Sequence, residues 1–294
     1  MTALFHECFI LQGLSYLRAM KKHVQLLRGL AISIGVVFTA CNNNNKPKEE
    51  SASAVTSPAF MEYTVVKVYP HDTSSYTEGL LVHNNELFES TGREGFSKIA
   101  QIDLATGKAI REHYIDKSVF GEGITIFDNK IYQLTYRSNK VFVYDLKDFK
   151  KIAEYPWQGE GWALTHDGKS LIASTGTSNL QFLDPNTLQV QKLLSVTDQN
   201  GPVNNINELE YVDGFIYSNQ FLTNNILKIN AETGSVAARA DLSDLFAQGG
   251  KVFNPAQLPD PNEDVLNGIA YDSTSGSFFV TGKQWPYLFE IKFR

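Results

Sequence analysis

Cysteine is nearly absent from this chain of 294 residues; there are two, Cys8 and Cys41. Both precede the part of the chain that repeats, so a disulfide framework and a cysteine-held zinc site are excluded there. The six histidines are scattered, with no helical ligand spacing, so no histidine-held metal site is predicted. Basic residues are in short supply too. Lys and Arg number 26 against 32 Asp and Glu, a formal net charge of −6 with no basic run. A phosphate-binding face needs a concentration of Lys and Arg, so no nucleic-acid partner is expected. Long apolar runs are also missing. Residues 29–40 are apolar but fall short of the roughly 20 residues that span a bilayer, which leaves a lipid anchor as the expected route to a membrane.

At the N-terminus the chain reads as a targeting signal. Met20-Lys21-Lys22-His23 opens a basic segment, the apolar run follows, and it ends Phe38-Thr39-Ala40-Cys41. That ending resembles a bacterial lipobox, which implies cleavage before Cys41 and acylation of its thiol. An ordinary signal peptide with a chance cysteine, or an uncleaved anchor, is the alternative. Residues 1–41 are thus predicted to be an extension plus a lipoprotein-type signal peptide. Residues 42–59, rich in Asn, Ser, Lys, Glu and Pro, form a polar tether, and 60–294 are the folded domain. The expected location is the bacterial cell envelope, lipid-anchored, facing the periplasm or the cell surface.

From residue 62 onward the apolar pattern is that of strands, β-branched and aromatic, broken by Asn or Asp-Gly turns. One signature recurs: an acid or Asn, a small residue, then an apolar run. It occurs at Glu78-Gly79-Leu80, Glu122-Gly123-Ile124, Glu160-Gly161-Trp162, Asn207-Glu208-Leu209 and Asn267-Gly268-Ile269. Each opens a meander of short strands. The first four meanders contain four strands and the fifth only three, while the strand 62–69 has no repeat before it. These counts predict an all-β, five-bladed β-propeller with its last blade closed by the N-terminal strand, since pairing removes an open edge. The insert 244–264 is read as a long loop leaning over one face. Glycine on both sides of Glu122 is taken to permit positive φ at a tight turn before the strand.

First strands of propeller blades line the central channel, so the five signatures converge on one mouth. Four carboxylates there, Glu78, Glu122, Glu160 and Glu208, need a cation or a raised pKa. Three readings stay open: a hard metal such as a structural Ca²⁺ in the channel, a substrate ammonium with one glutamate as acid and base, or glutamates that merely cap turns. Trp162, Tyr136, Phe221 and Trp285 stand at matching places and suit the wall of a pocket for a small organic group. Lys283 falls beside Trp285.

Taken together, Tyr76-Thr77-Glu78-Gly79-Leu80, Glu89-Ser90-Thr91-Gly92, Phe120-Gly121-Glu122-Gly123-Ile124-Thr125, Leu134-Thr135-Tyr136, Glu160-Gly161-Trp162, Ile206-Asn207-Glu208-Leu209-Glu210, Leu266-Asn267-Gly268-Ile269-Ala270 and Thr281-Gly282-Lys283-Gln284-Trp285-Pro286 resemble the plant-type and bacterial glutaminyl-peptide cyclotransferases. The resemblance runs in order from residue 62 to the end. It implies a five-bladed propeller that converts an N-terminal glutaminyl residue of a peptide to pyroglutamyl and releases ammonia, as a monomer and without a required cofactor. It implies Glu122 as the catalytic proton shuttle, Trp162 as a pocket wall whose indole N–H reaches the substrate, and Asn207 and Lys283 as groups that orient the substrate and steady the amide oxygen. Glu78, Tyr136, Phe221 and Trp285 complete the implied substrate site. Glu78 stands where the family usually has Gln, and Tyr136 and Phe221 where it usually has Trp. The extra charge of Glu78 would raise the pKa of Glu122 if the two are close. A non-enzymatic binding propeller and a metal-dependent propeller lactonase are the rival expectations.

Overall fold

A computed structural model describes residues 57–294 apart from residue 259. The predicted signal segment, Cys41 and residues 42–56 of the tether lie outside the described residues. The described chain begins with two strands, β1 (Ala59–Phe60) and β2 (Tyr63–Pro70). Four meanders follow. The first is β3 (Thr77–His83), β4 (Glu86–Thr91), β5 (Lys98–Asp103) and β6 (Lys108–Tyr114). The second is β7 (Gly121–Phe127), β8 (Lys130–Thr135), β9 (Lys140–Asp145) and β10 (Lys151–Pro156). The third is β11 (Leu164–His166), β12 (Leu171–Ala173), β13 (Asn179–Leu183) and β14 (Val190–Ser195). A small hairpin, β15 (Thr197–Asp198) and β16 (Gly201–Pro202), leads to the fourth: β17 (Ile206–Val212), β18 (Phe215–Gln220), β19 (Asn225–Asn230) and β20 (Val236–Asp241). After an insert that holds one helical turn, α1 (Leu245–Gln248), the fifth sheet contributes β21 (Leu266–Asp272), β22 (Ser277–Gly282) and β23 (Tyr287–Phe293).

Every sheet is an antiparallel meander in sequence order, and the fifth takes β2 as its outer strand, hydrogen-bonded antiparallel to β23. The fourth sheet gains a fifth strand that the periodicity does not show: β1 adds parallel to β20, Ala59 opposite Ala238. Five apolar clusters fill the spaces between neighbouring sheets. Leu81, Phe88 and Ile99 pack on Ile124, Ile126 and Phe142 between the first and second, and Leu80, Leu87 and Ala100 pack on Ala270, Phe279 and Leu288 between the first and fifth. Five sheets with five cores between them make the five-bladed β-propeller, with β3, β7, β11, β17 and β21 innermost.

Two local expectations are corrected. First, the acids do not sit in turns ahead of the inner strands. Four of those strands begin earlier than the alternation suggests, and each carries a register shift at its signature: one extra residue between Thr77 and Gly79, Gly121 and Ile124, Ile206 and Leu209, Leu266 and Ile269. These are β-bulges, which leave a residue unpaired and re-aim its side chain. Glu160 alone stays in a loop, ahead of β11. Second, the glycines around Glu122 do not have positive φ. They serve close approach instead. A Cβ on Gly123 would overlap the Cα of Ala163 in the next blade, and the Gly123 N–H donates to the Trp162 carbonyl at 2.8 Å.

Candidate active site

One end of each inner strand lies beside the far end of the second strand of its blade, and there the bulges aim side chains into a common cavity of about 140 Å³. Its lining is Glu78 and Glu122 from the bulges of β3 and β7, Asn207 from that of β17, Tyr76 and Phe120 just ahead of β3 and β7, and Trp162 ahead of β11. Tyr136, Phe221 and Lys283 follow the second strands β8, β18 and β22, and Glu263 comes from the insert. The cavity is close to that of an engineered site of roughly 150 Å³ that holds one benzene, so it has room for one side chain of about five heavy atoms.

Rings form its wall. Phe120 lies between Tyr76 and Tyr136, with centroids 6.1 and 5.7 Å away, and Trp162 meets Phe221 edge-on at 5.4 Å. Glu122 sits among them, 5% exposed. Among the described residues its carboxyl has no hydrogen-bond partner. Burial pushes its pKa well above the usual carboxylate range, the Glu78 carboxylate adds to this, Lys283 opposes it and Glu160 adds a little. Burial therefore favours the protonated form of Glu122. Its backbone is held by a buried relay. Tyr144 Oη donates to Gln133 Oε1 at 2.9 Å, Gln133 Nε2 to Ser90 Oγ at 2.9 Å, and Ser90 Oγ to the Glu122 carbonyl at 2.5 Å. Ser174 Oγ does the same for the Asn207 carbonyl at 2.9 Å. The Oδ1 atom of Asn207 is buried with no partner among the described residues, an acceptor waiting for an N–H.

Charge balance is set locally. Lys283 Nζ donates to Glu78 Oε1 at 2.8 Å and lies over the Tyr76 and Phe221 rings. Burial raises Glu78 while Lys283 pulls it back. Burial raises both carboxyls, but only Glu78 has partners, Lys283 and Asn267, to hold its charge.

Several sequence expectations need correction. Trp285 does not line the cavity. It is buried against Phe246 of α1, centroids 4.8 Å apart, and spends its indole N–H on the Asp264 carbonyl at 3.1 Å. It anchors the insert. The indole N–H of Trp162 is likewise occupied, donating to Glu160 Oε2 at 3.2 Å. Glu160 is a rim residue paired with Arg137 at 2.8 Å, and Glu208 is a channel residue whose Oε2 accepts the Ile269 N–H at 2.7 Å, so four acids do not share the mouth. Asn267 does not line it either; it supports Glu78 from behind, at 3.1 Å. No group of three or more His, Cys, Asp or Glu among the described residues is placed to hold a metal ion. Sequence reasoning missed Tyr76, Phe120 and Glu263. The first two stand two residues before Glu78 and Glu122, and strand alternation would place them on the same face. Glu263 lies in the irregular insert and gives no such signal; its Oε2 accepts from Tyr76 Oη at 3.1 Å.

Comparison with known proteins shows the family. The sequence model of the glutamine cyclotransferase family matches residues 35–293. The chain belongs to that family. It is 35% identical over 277 residues to the glutaminyl-peptide cyclotransferase of Arabidopsis thaliana, covering 93% of this chain and 85% of the relative. The crystal structure of Myxococcus xanthus glutaminyl cyclase superposes with a TM-score of 0.73 at 32% identity, covering 81% of this chain and 98% of that one.

Proposed function

We propose that the protein cyclises the N-terminal glutaminyl residue of peptides to pyroglutamyl, with Glu122 as the shuttle. The observation that carries this reading is a buried Glu122, its carboxyl unpartnered among the described residues, in a cavity sized for one side chain. The substrate enters with its α-amine as the free base. The amine nitrogen attacks the side-chain amide carbon and a C–N bond forms, closing a five-membered ring. Glu122 gives its proton to the leaving amide nitrogen and takes one from the attacking nitrogen, so that the old C–N bond breaks and ammonia departs. Lys283 stands as the cation for the amide oxygen, and the free Oδ1 of Asn207 accepts a substrate N–H. Tyr136, Trp162 and Phe221 enclose the aliphatic part of the side chain.

No step calls on a metal, so turnover is expected to continue in a chelator. In the same proposal the tether ends before Ala59, which belongs to β1, and Cys41 carries the lipid that holds the enzyme, as a monomer, at the bacterial envelope. The experiment is ammonia release from a Gln-initiated peptide by the purified domain with chelator present. An Asn-initiated peptide serves as the control. Release from neither peptide, or release only after metal is added, refutes the reading.

A further inference from the structure

The reading above needs Lys283 as a cation, yet in the structure that cation already has a partner. Lys283 and Glu78 meet at 2.8 Å with side chains 6% and 3% exposed. The other Glu78 oxygen accepts from Asn267 Nδ2 at 3.1 Å, and the same Nδ2 donates to the Thr77 carbonyl at 3.0 Å, on the bulge that carries Glu78. An exposed lysine pair is mobile and weak. This one is buried, held on both oxygens, and shares a cavity with Glu122.

We propose that Glu78 is a positioning residue that acts through Lys283: by neutralising that cation it leaves Glu122 without a net positive neighbour and so sets the pH range in which Glu122 shuttles the proton. This rests on the cyclotransferase reading. The groups around Glu122 are few. Glu78 comes from β3 and Lys283 from the turn after β22. Glu160, held by Arg137, stands ahead of β11, and Tyr76, Tyr136 and Glu263 complete the charged or titratable lining. Glu78 and Glu160 favour the protonated form of Glu122, and Lys283 opposes it. Removing Glu78 leaves Lys283 unopposed and lets Glu122 ionise more easily. Removing Lys283 leaves Glu78 unopposed and does the reverse. The two changes must act with opposite sign and cancel when combined. A residue that only props its neighbour in place would not behave so.

The test is the pH profile of kcat/KM for ammonia release from a Gln-initiated peptide, with wild type, Glu78→Gln, Lys283→Met and the double variant. One limb belongs to the substrate amine and moves when that amine is exchanged for a less basic one; the other belongs to the enzyme. We expect the enzyme limb to move down by about one pH unit or more in Glu78→Gln and up by as much in Lys283→Met, the usual reach of a nearby charge. The double variant should return within about half a unit of wild type, on a lower plateau. Glu78→Asp keeps the charge and should leave the limb in place. If Glu78→Gln does not fold, Lys283→Met and Glu78→Asp decide the matter. A limb that stays put in Lys283→Met, or moves the same way in both single variants, overturns the inference alone. A wild-type protein that releases no ammonia overturns it together with the proposed function.

Discussion

Replacing Glu122 by Gln separates chemistry from architecture, because the two readings of this residue predict opposite changes in stability. In the structure Glu122 is 5% exposed, unpartnered among the described residues, and held well above its usual pKa chiefly by burial. Above the ordinary carboxylate pKa the folded protein holds this proton more tightly than the unfolded chain does. The sign follows: with more protons bound in the folded state, stability falls as pH rises from the ordinary carboxylate pKa up to the raised one. The loss from this single group is about 1.4 kcal/mol per pH unit across that window. Glutamine has nearly the shape of the protonated acid and cannot ionise, so Glu122→Gln removes the loss. Its Tm should equal that of wild type near pH 5 and exceed it at pH 8. Turnover should fall by roughly 10²–10⁴-fold, the usual cost of losing a positioned acid–base group. A turn-capping Glu122 predicts the reverse, a lower Tm at both pH values with near-normal activity per folded molecule. Glu208→Gln is the control, since Glu208 is as buried and stands in the same signature, but spends its carboxyl on the Ile269 N–H. Thermal melts and turnover on a Gln-initiated peptide, measured for both variants at both pH values, decide it. The reasoning fails if Glu122→Gln retains more than about a tenth of wild-type turnover, or if Glu208→Gln loses as much per folded molecule.

Gly176 has φ +73°, and a methyl group there would lie 2.5 Å from the Trp162 ring. Gly176→Ala should displace the indole and raise KM more than it lowers kcat, read from steady-state kinetics. Trp285→Ala should cost about 3–5 kcal/mol in chemical denaturation, the usual figure for a buried aromatic, and free the insert to proteolysis near Phe246; an intact insert would contradict the anchoring role. Glu89 accepts from His71 at 3.0 Å, from Thr77 Oγ1 at 2.7 Å and from Ser75 Oγ at 3.0 Å, and it raises His71 against the burial that lowers it. With a raised folded pKa, the stability from charged His71 is complete below its unfolded value of about 6.5 and is lost as pH rises through the folded one. Glu89→Gln should therefore lower Tm more at pH 6 than at pH 9, and an equal loss at both would refute the charged pair.

The blade pattern was legible because it is local. Alternation along 98–103 or 140–145 and the Asn and Asp turns between strands are properties of short stretches, and three strands in the last repeat against one unmatched strand at the start is a matter of counting. The signatures also marked the site, since first strands of blades meet at an axis whatever their sequence separation. Glu122, Glu78, Asn207, Trp162, Tyr136, Phe221 and Lys283 do share one cavity. What the strand period could not say is which of two adjacent residues faces that cavity. A period of two becomes ambiguous where a bulge inserts one residue, and it took the bulge in β17 to send Asn207 to the pocket and Glu208 to the channel.

Sequence alone determined the all-β class and the number of blades, and the resemblance it carries singled out Glu122 for the proposed chemistry. Tertiary structure decided the rest. It turned Trp285 from a pocket wall into an anchor for the insert, brought Glu263 to the rim, and set Ser90, Gln133 and Tyr144 behind Glu122. It also placed Lys283 against Glu78, 205 residues away in the chain. The physical reason is range. Strand propensity and turn chemistry act between neighbours, whereas burial, ion pairing and the pKa of a carboxyl depend on everything within a few ångströms, and only the closed ring of blades decides what that is.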